Sequence, residues 1–350
     1  PRAVSVVLWG FETMKTGGET IAAIFRLLGV KPVWKAIYVR DLEVIPLKEL
    51  GRPRIDVLVT ICGLFRDTFY NMVELLDRAF KLVVELDEPL EWNYVKANHL
   101  QIVDELGKGE LLKIFGPPDG EYATTLTNLV ETGAWKTESD LVQAYLDSMR
   151  YAYGVDVRGI EAEKIFNLLL ARVDVVAQVR DSIDYEITDL DHYYEFLGGL
   201  SKSVESLKGS MPLILVADTT KERVKVEGVS EAIRRGVITR LLNPRWIKGM
   251  LEHGFSGAAK IADRIEYLLG LAATTGGVEN WMWDQIAEKI ALNEEVSKTI
   301  VRENPWALQK MVKRLLEANK RGYWKAQRDV LKKLEEKYLE VEGVLEDAFS

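Results

Sequence analysis

The residue pattern of this chain predicts an α/β fold, a doubly wound, mostly parallel sheet followed by an all-helical C-terminal domain. Three observations predict it. Over the first 220 residues, short apolar runs alternate with segments whose apolar residues recur at helical spacing, as in repeated βαβ units. From about residue 226 the strand-like runs stop. Beyond that point two helices open on one start signal, Asn243-Pro244 and Asn304-Pro305: Asn suits the N-cap, and Pro suits the first helical position, where its missing N–H costs nothing. The expected division is residues 1–225 as the α/β domain, with loops at the strand C-termini forming the candidate site, and residues 226–350 as the helical domain.

The elements follow in order. VSVVLW (4–9) reads as a buried strand, and ETIAAIFRLLG (19–29) as a helix stopped by Gly. IDVLVTI (55–61) is a strand, FYNMVELLDRAFKLVVE (69–85) a helix and LLKIFG (111–116) a strand. SDLVQAYLDSMRYAYG (139–154) and EAEKIFNLLLA (161–171) are helices, VDVVAQV (173–179) a strand, YYEFLGGLSKSVESLKG (193–209) helical and PLILVAD (212–218) a strand. After Pro305, Trp306, Leu308, Met311, Val312, Leu315 and Leu316 form an apolar stripe. The stretch Tyr323–Phe349 is basic first and acidic later, a pattern for a solvated helix face or for docking to a partner subunit.

Composition narrows the function classes. The 350 residues are 47% hydrophobic and 29% charged, ordinary globular values. A net charge of −8 without a basic tract argues against nucleic acid as a partner. No apolar run reaches the roughly 20 residues that span a bilayer. One cysteine, Cys62, in an apolar context, reads as a small core residue and fits a reducing cytoplasm. With three histidines, no His-rich metal cage forms. The chain begins at Pro1 and enters a strand almost at once, which suggests a processed product or a piece of a longer polypeptide.

Several segments carry polar groups suited to chemistry. MKTGGE (14–19) follows the first strand and opens the next helix; Gly17 and Gly18 permit close backbone approach, Lys15 adds charge, and Glu19 can meet a metal or a proton. No Walker A or GxGxxG pattern is present. CGLFRD (62–67) leaves the second clear strand and presents Arg66 beside Asp67: the two pair with each other, or Arg66 grips an acidic substrate group. LDEPLEWNYVKANH (86–99) places Glu88 among other acidic and amide groups in a loop-to-helix context. DSIDYEITDLDHYYE (181–195) reads as a hydrated acidic loop in which His192 and Glu195 share one helix face. Trp246, Trp281, Trp283, Trp306 and Trp324 sit at spacings typical of core, with stacking on a flat ligand as the alternative.

The chain resembles the C-terminal part of the large subunit of cobaltochelatase and of the porphyrin-binding subunit of magnesium chelatase. The resemblance runs in order through LWGFETMKTGGETIA (8–22), ELGRPRIDVLVTICGLFRD (49–67), DEPLEWNYV (87–95), DLVQAYLDSMRYAYG (140–154), RLLNPRWIKGMLEHGFSGAAKI (240–261), ATTGGVENWMWD (273–284) and ENPWALQKMVKRLLEANKRGYW (303–324). It implies a ligase that inserts a divalent metal into a tetrapyrrole, with ATP hydrolysed by an AAA+ subunit and an integrin-I-domain subunit rather than by this chain, in the cytoplasm. It implies Lys15, Gly17, Gly18, Arg54 and Arg66 as a substrate-anchoring set, and Glu19, Asp67, Glu88 and His253 as candidates for catalytic work near metal or protons; the metal ligands stay unassigned. Thr16-Gly17-Gly18-Glu19 looks more like the cobalt type, which favours Co2+ and a corrin over Mg2+ and a porphyrin. A non-catalytic tetrapyrrole-binding or scaffold module is the competing reading. The family's upstream H-G-T-H-G segment is absent from these residues.

Overall fold

A computed structural model describes residues 1–36, 38–107 and 109–347. Ten strands occur among them: β1 (Ala3–Leu8), β2 (Val30–Lys35), β3 (Tyr38–Val44), β4 (Asp56–Ile61), β5 (Ile114–Gly116), β6 (Tyr151–Tyr153), β7 (Arg158–Glu161), β8 (Val175–Arg180), β9 (Leu213–Asp218) and β10 (Lys225–Gly228). Eight form one sheet in the order β10-β9-β8-β1-β4-β5-β6-β7, and β2 and β3 form a separate antiparallel pair. The pairs β8–β9, β1–β8, β1–β4 and β4–β5 are parallel, whereas β5–β6 and β6–β7 are antiparallel. The sheet is therefore mostly parallel and winds in two directions from β1. Every residue of β1 and β4 is buried, as expected of central parallel strands covered on both faces.

The structure adds elements that the apolar pattern did not mark. Charges and Pro32 broke the apolar signal of the β2–β3 hairpin, whose register shifts at Val33/Trp34. The helix expected over 139–154 ends at Met149, and Tyr151–Tyr153 becomes strand β6. Residues 14–16 are the last turn of a helix, Gly10–Thr16, rather than loop, and Gly63–Thr68 is also helical, with Cys62 at its N-cap.

The chain forms two compact units: residues 1–126, 136–181 and 199–226, and residues 127–135, 182–198 and 227–350. This differs from two contiguous stretches, because residues 127–135 and 182–198 belong with the C-terminal helices. In the second unit the 22-residue helix Gly254–Thr275 packs against the helix Pro305–Lys320, burying Ile261, Ile265, Leu268 and Leu269 with Leu308, Met311, Val312 and Leu315. Residues 193–198 form a π-helical turn, and a Cβ at Gly270 would stand 2.5 Å from the Tyr194 ring, so glycine lets the two backbones approach. Trp283 and Trp324 are core side chains. The charged C-terminal stretch is helical over Arg328–Asp347 and buries Leu334, Val341 and Leu345; its end at Phe349 lies outside the described residues. No helix of the described residues is long and apolar enough to cross a membrane.

Candidate functional site at the carboxyl end of the sheet

Strand β1 has β4 on one side and β8 on the other, so strand order reverses at β1. Open α/β sheets bind ligands at such a point, outside the strands' carboxyl ends. β1 and β4 run level, Ala3 opposite Asp56 and Leu8 opposite Ile61, so the helices Gly10–Thr16 and Gly63–Thr68 leave the sheet side by side. They touch closely: a Cβ at Gly10 would lie 2.8 Å from Leu64 Cγ and 3.2 Å from the Phe65 nitrogen.

This edge collects six of the nine residues expected in the site. Lys15, in the last turn of its helix, donates to the Asp181 carbonyl at the end of β8 and stands 3.4 Å from the Asp181 carboxylate. Gly17 and Gly18 both have positive φ, 70° and 93°, and make the corner into the helix Glu19–Leu28. Nothing lies within 4 Å of a Cβ placed on Gly17, so the space over this corner is open. The N–H groups of Gly18 and Glu19 donate to Thr16 Oγ1 at 3.3 and 3.2 Å. The helix start is thus already capped from within, and Glu19 is exposed.

Arg66 and Asp67 complete the edge, and they pair with each other, the first of the two alternatives their adjacency offered. The Arg66 side chain has 0% exposure. It forms a two-pronged pair with Asp67, Nε to Oδ1 at 2.7 Å and Nη2 to Oδ2 at 3.1 Å, and its Nη1 donates to the carbonyls of Pro117 and Glu121 at 2.9 and 3.1 Å. Arg66 therefore pins the loop that follows β5, and a buried, internally satisfied guanidinium does not reach out to a ligand. Burial works to lower its pKa, but the hydrogen bonds with Asp67 and Tyr153 outweigh it and raise it. The hydrogen bond from Arg66 holds the Asp67 carboxyl below the usual carboxylate range, which makes Asp67 a poor base.

The remaining three expected residues lie elsewhere. Arg54 and Glu88 sit at the amino end of β4. Arg54 is also 0% exposed, and all five of its N–H groups are used: on Glu88 at 2.7 and 2.8 Å, on the carbonyls of Leu28 and Gly29 at 3.1 and 2.7 Å, and on Ile45 at 2.9 Å. Asn93 Nδ2 donates to Glu88 at 3.1 Å. This pair is a structural clamp, which corrects both expectations: Arg54 as an anchor and Glu88 as an acid or base. His253 is exposed in the helical unit, at the N-cap of Gly254–Thr275.

Much of the acidic segment 181–195 is ion-paired, while Asp184 is exposed. Asp189 is buried and takes Arg264 at 2.7 Å and Arg240 at 3.2 Å, while Glu186 takes Arg235 at 2.9 Å. His192 Nδ1 meets the buried Glu195 at 3.2 Å. Burial works to lower the His192 pKa; Glu195 and Asp191 outweigh it and raise it. The described residues contain no group of three or more His, Cys, Asp or Glu placed to hold a metal ion. Burial pushes the Cys62 thiol up in pKa, in keeping with a core residue.

The sequence reading missed one group at this edge. Glu12 is 4% exposed. Its carboxylate accepts from the hydroxyls of Thr20 at 2.9 Å, Thr16 at 3.1 Å and Thr13 at 3.4 Å, and no cation pairs with it among the described residues. Burial raises its pKa, against the lowering by the threonine hydroxyls, and Asp181 raises it further. The four-residue spacing of Glu12 and Thr16 was legible, but only in a helix, and the segment read as a loop.

Comparison with known proteins places the chain in a family. The CobN/Magnesium Chelatase family model matches residues 1–331. The chain is 38% identical to the chloroplastic magnesium-chelatase subunit ChlH of Oryza sativa subsp. indica over 99% of its own length and 26% of the relative's. It is 34% identical to the aerobic cobaltochelatase subunit CobN of Pseudomonas aeruginosa, over 97% of this chain and 28% of that one. The solved catalytic subunit of cobaltochelatase from Mycobacterium tuberculosis superposes with a TM-score of 0.96 at 38% identity, covering 98% of this chain and 30% of that one. The chain belongs to the CobN/magnesium chelatase family, and it spans under a third of the length of these relatives.

Proposed function

We propose that this chain is the C-terminal portion of the large subunit of an ATP-dependent chelatase that inserts cobalt into a corrin, hydrogenobyrinic acid a,c-diamide, in cobalamin biosynthesis. The observation that carries this reading is the match over 98% of the chain to the cobaltochelatase catalytic subunit. ATP is hydrolysed by AAA+ and integrin-I-domain partner subunits in the cytoplasm; the absence of a Walker A pattern from these residues agrees with that division. Divalent metal and macrocycle are both substrates. Lys15 and the open corner at Gly17 and Gly18 receive the peripheral carboxylates of the macrocycle, and Glu19 stands exposed beside them.

Magnesium insertion into a porphyrin is the second reading, favoured by the 38% identity to a magnesium-chelatase subunit. The resemblance of Thr16-Gly17-Gly18-Glu19 to the cobalt type, where the magnesium type more often has an aromatic residue at position 17, supports the cobalt reading. The test is an absorbance and fluorescence-quenching titration of the purified chain with hydrogenobyrinic acid a,c-diamide and with protoporphyrin. Saturable binding, tighter for the corrin, supports the cobalt reading, and tighter porphyrin binding supports the magnesium one. No binding to either by a folded sample removes the macrocycle site from this part of the subunit and favours a scaffold role.

A further inference from the structure

We propose that Glu12, acting through the Thr16 hydroxyl, is a proton-accepting positioning residue of the carboxyl-end site. The inference rests on the chelatase reading above and deepens it. Three features of the geometry point to it. Glu12 is buried at the switch point of the sheet, where three threonine hydroxyls donate to it and, among the described residues, no guanidinium or ammonium pairs with it. Thr16 Oγ1 lies between Glu12 and the glycine corner: it donates to Glu12 Oε1 and accepts from the N–H groups of Gly18 and Glu19. Thr16 is half-buried and next to Gly17, which is exposed and has nothing within 4 Å of its Cβ position.

The contrast with Asp67 on the same edge supports the assignment. Asp67 is paired with Arg66 and held below the usual carboxylate range, whereas Glu12 is shifted up, toward the pH at which a base both takes and holds a proton. The groups that face Glu12 are Thr13 and Thr16 on its own helix, Thr20 on the next helix and Asp181 at the end of β8.

The step balances without an oxidant or reductant. Insertion of a divalent metal releases two ring N–H protons. One ring N–H bond breaks, its electron pair stays on nitrogen for the metal, and the proton goes to a lone pair of Thr16 Oγ1 that is freed as the long contact from the Gly18 N–H, at 3.3 Å, gives way. The proton that Thr16 held moves to Glu12 Oε1, which leaves a neutral carboxylic acid and an unchanged hydroxyl.

The test uses Glu12→Gln, which keeps shape and hydrogen bonding but cannot titrate, and Thr16→Val, which breaks the relay. Infrared spectroscopy of the chain across pH reads the protonated-carboxyl stretch. We expect a carboxyl that titrates above the ordinary range and is lost in Glu12→Gln, distinct from Glu131, which burial also raises and which the variant leaves in place. In the complete chelatase assembly with Co2+ and corrin, both variants should bind macrocycle like the parent but turn over about 100-fold more slowly, the lower range for loss of a general base. Glu12→Asp should recover part of the rate with a shifted pH profile, which a purely structural role would not produce. An active parent with an equally active Glu12→Gln, or an infrared titration in the ordinary carboxylate range, overturns the inference alone. A parent that neither binds nor turns over defeats the chelatase reading, and this inference with it. If Glu12→Gln fails to fold, Thr16→Val decides by the same kinetic criterion.

Discussion

The two ends of β4 each carry a buried arginine, and the difference between them lies in what surrounds each one. At the amino end, Arg54 is closed in by Glu88 and three carbonyls, and no donor is left over. At the carboxyl end, Arg66 is equally buried, but its carboxylate partner Asp67 is 36% exposed and the loop it pins borders an open corner. Both arginines are structural. Among the described residues, the carboxyl end also holds Glu12, which accepts from hydroxyls and has no cation partner, and the exposed Lys15, whose one carboxylate partner, Asp181, stands 3.4 Å away. A charge that the fold has fully satisfied holds the chain together, whereas one that it has left partly satisfied is available to a ligand.

Four substitutions sharpen or break this comparison. Arg54→Ala should have the largest effect, a loss of about 3–5 kcal/mol, because it leaves the half-buried Glu88 without its cation and three carbonyls without a donor. Chemical denaturation measures it, and a loss under 1 kcal/mol would mean that the amino-end clamp carries little. Arg66→Ala should cost less, about 2 kcal/mol, since Asp67 can turn to water. Proteolysis of the loop 117–121 should rise in that variant. A fall in macrocycle affinity with unchanged stability would instead restore Arg66 as an anchor.

Gly17→Ala should cost about 1 kcal/mol for placing a side chain at φ 70°, with no added clash. Thermal melting against Gly17→Asn, which tolerates that conformation better, separates backbone strain from lost packing. Glu12→Gln should show the smallest net effect, and its sign depends on pH. The folded-state pKa of Glu12 is raised, so what Glu12 contributes to stability is fully present below its ordinary value of 4.5 and is lost as pH rises through the folded value. Glu12→Gln should therefore gain on the parent from pH 4.5 upward, and the gain should vanish in acid. A gain that is flat with pH would show that Glu12 titrates normally.

Much of the fold was legible because a central strand must be apolar on both faces. VSVVLW and IDVLVTI stood out for that reason, and they are the two adjacent strands that carry the site. The hairpin β2–β3 and the short strand β7 were hidden, because antiparallel strands near a sheet edge tolerate charge and proline, and the three-residue β6 was hidden in the apolar continuation of the preceding helix. Lys15, Gly17, Gly18, Glu19, Arg66 and Asp67 were expected from their loops and charges, and the fold gathers them at the carboxyl edge of the sheet. Glu12 was not, because a carboxylate inside an apparent loop reads as solvated.

The sequence by itself determined the fold class, the strands of the sheet centre, the glycine corner after β1 and the family. These are written in local periodicity and in collinear motifs, which need no knowledge of distant contacts. Tertiary structure alone decided which charged groups are spent and which remain available. Arg54 and Arg66 are the same residue type in one short segment, Arg52 to Asp67, yet their partners come from Glu88 in one case and from the loop at 117–121 in the other. A carboxylate or guanidinium is defined chemically by its burial and by what stands within about 3 Å of it. Those neighbours are set by the folding of segments tens of residues apart.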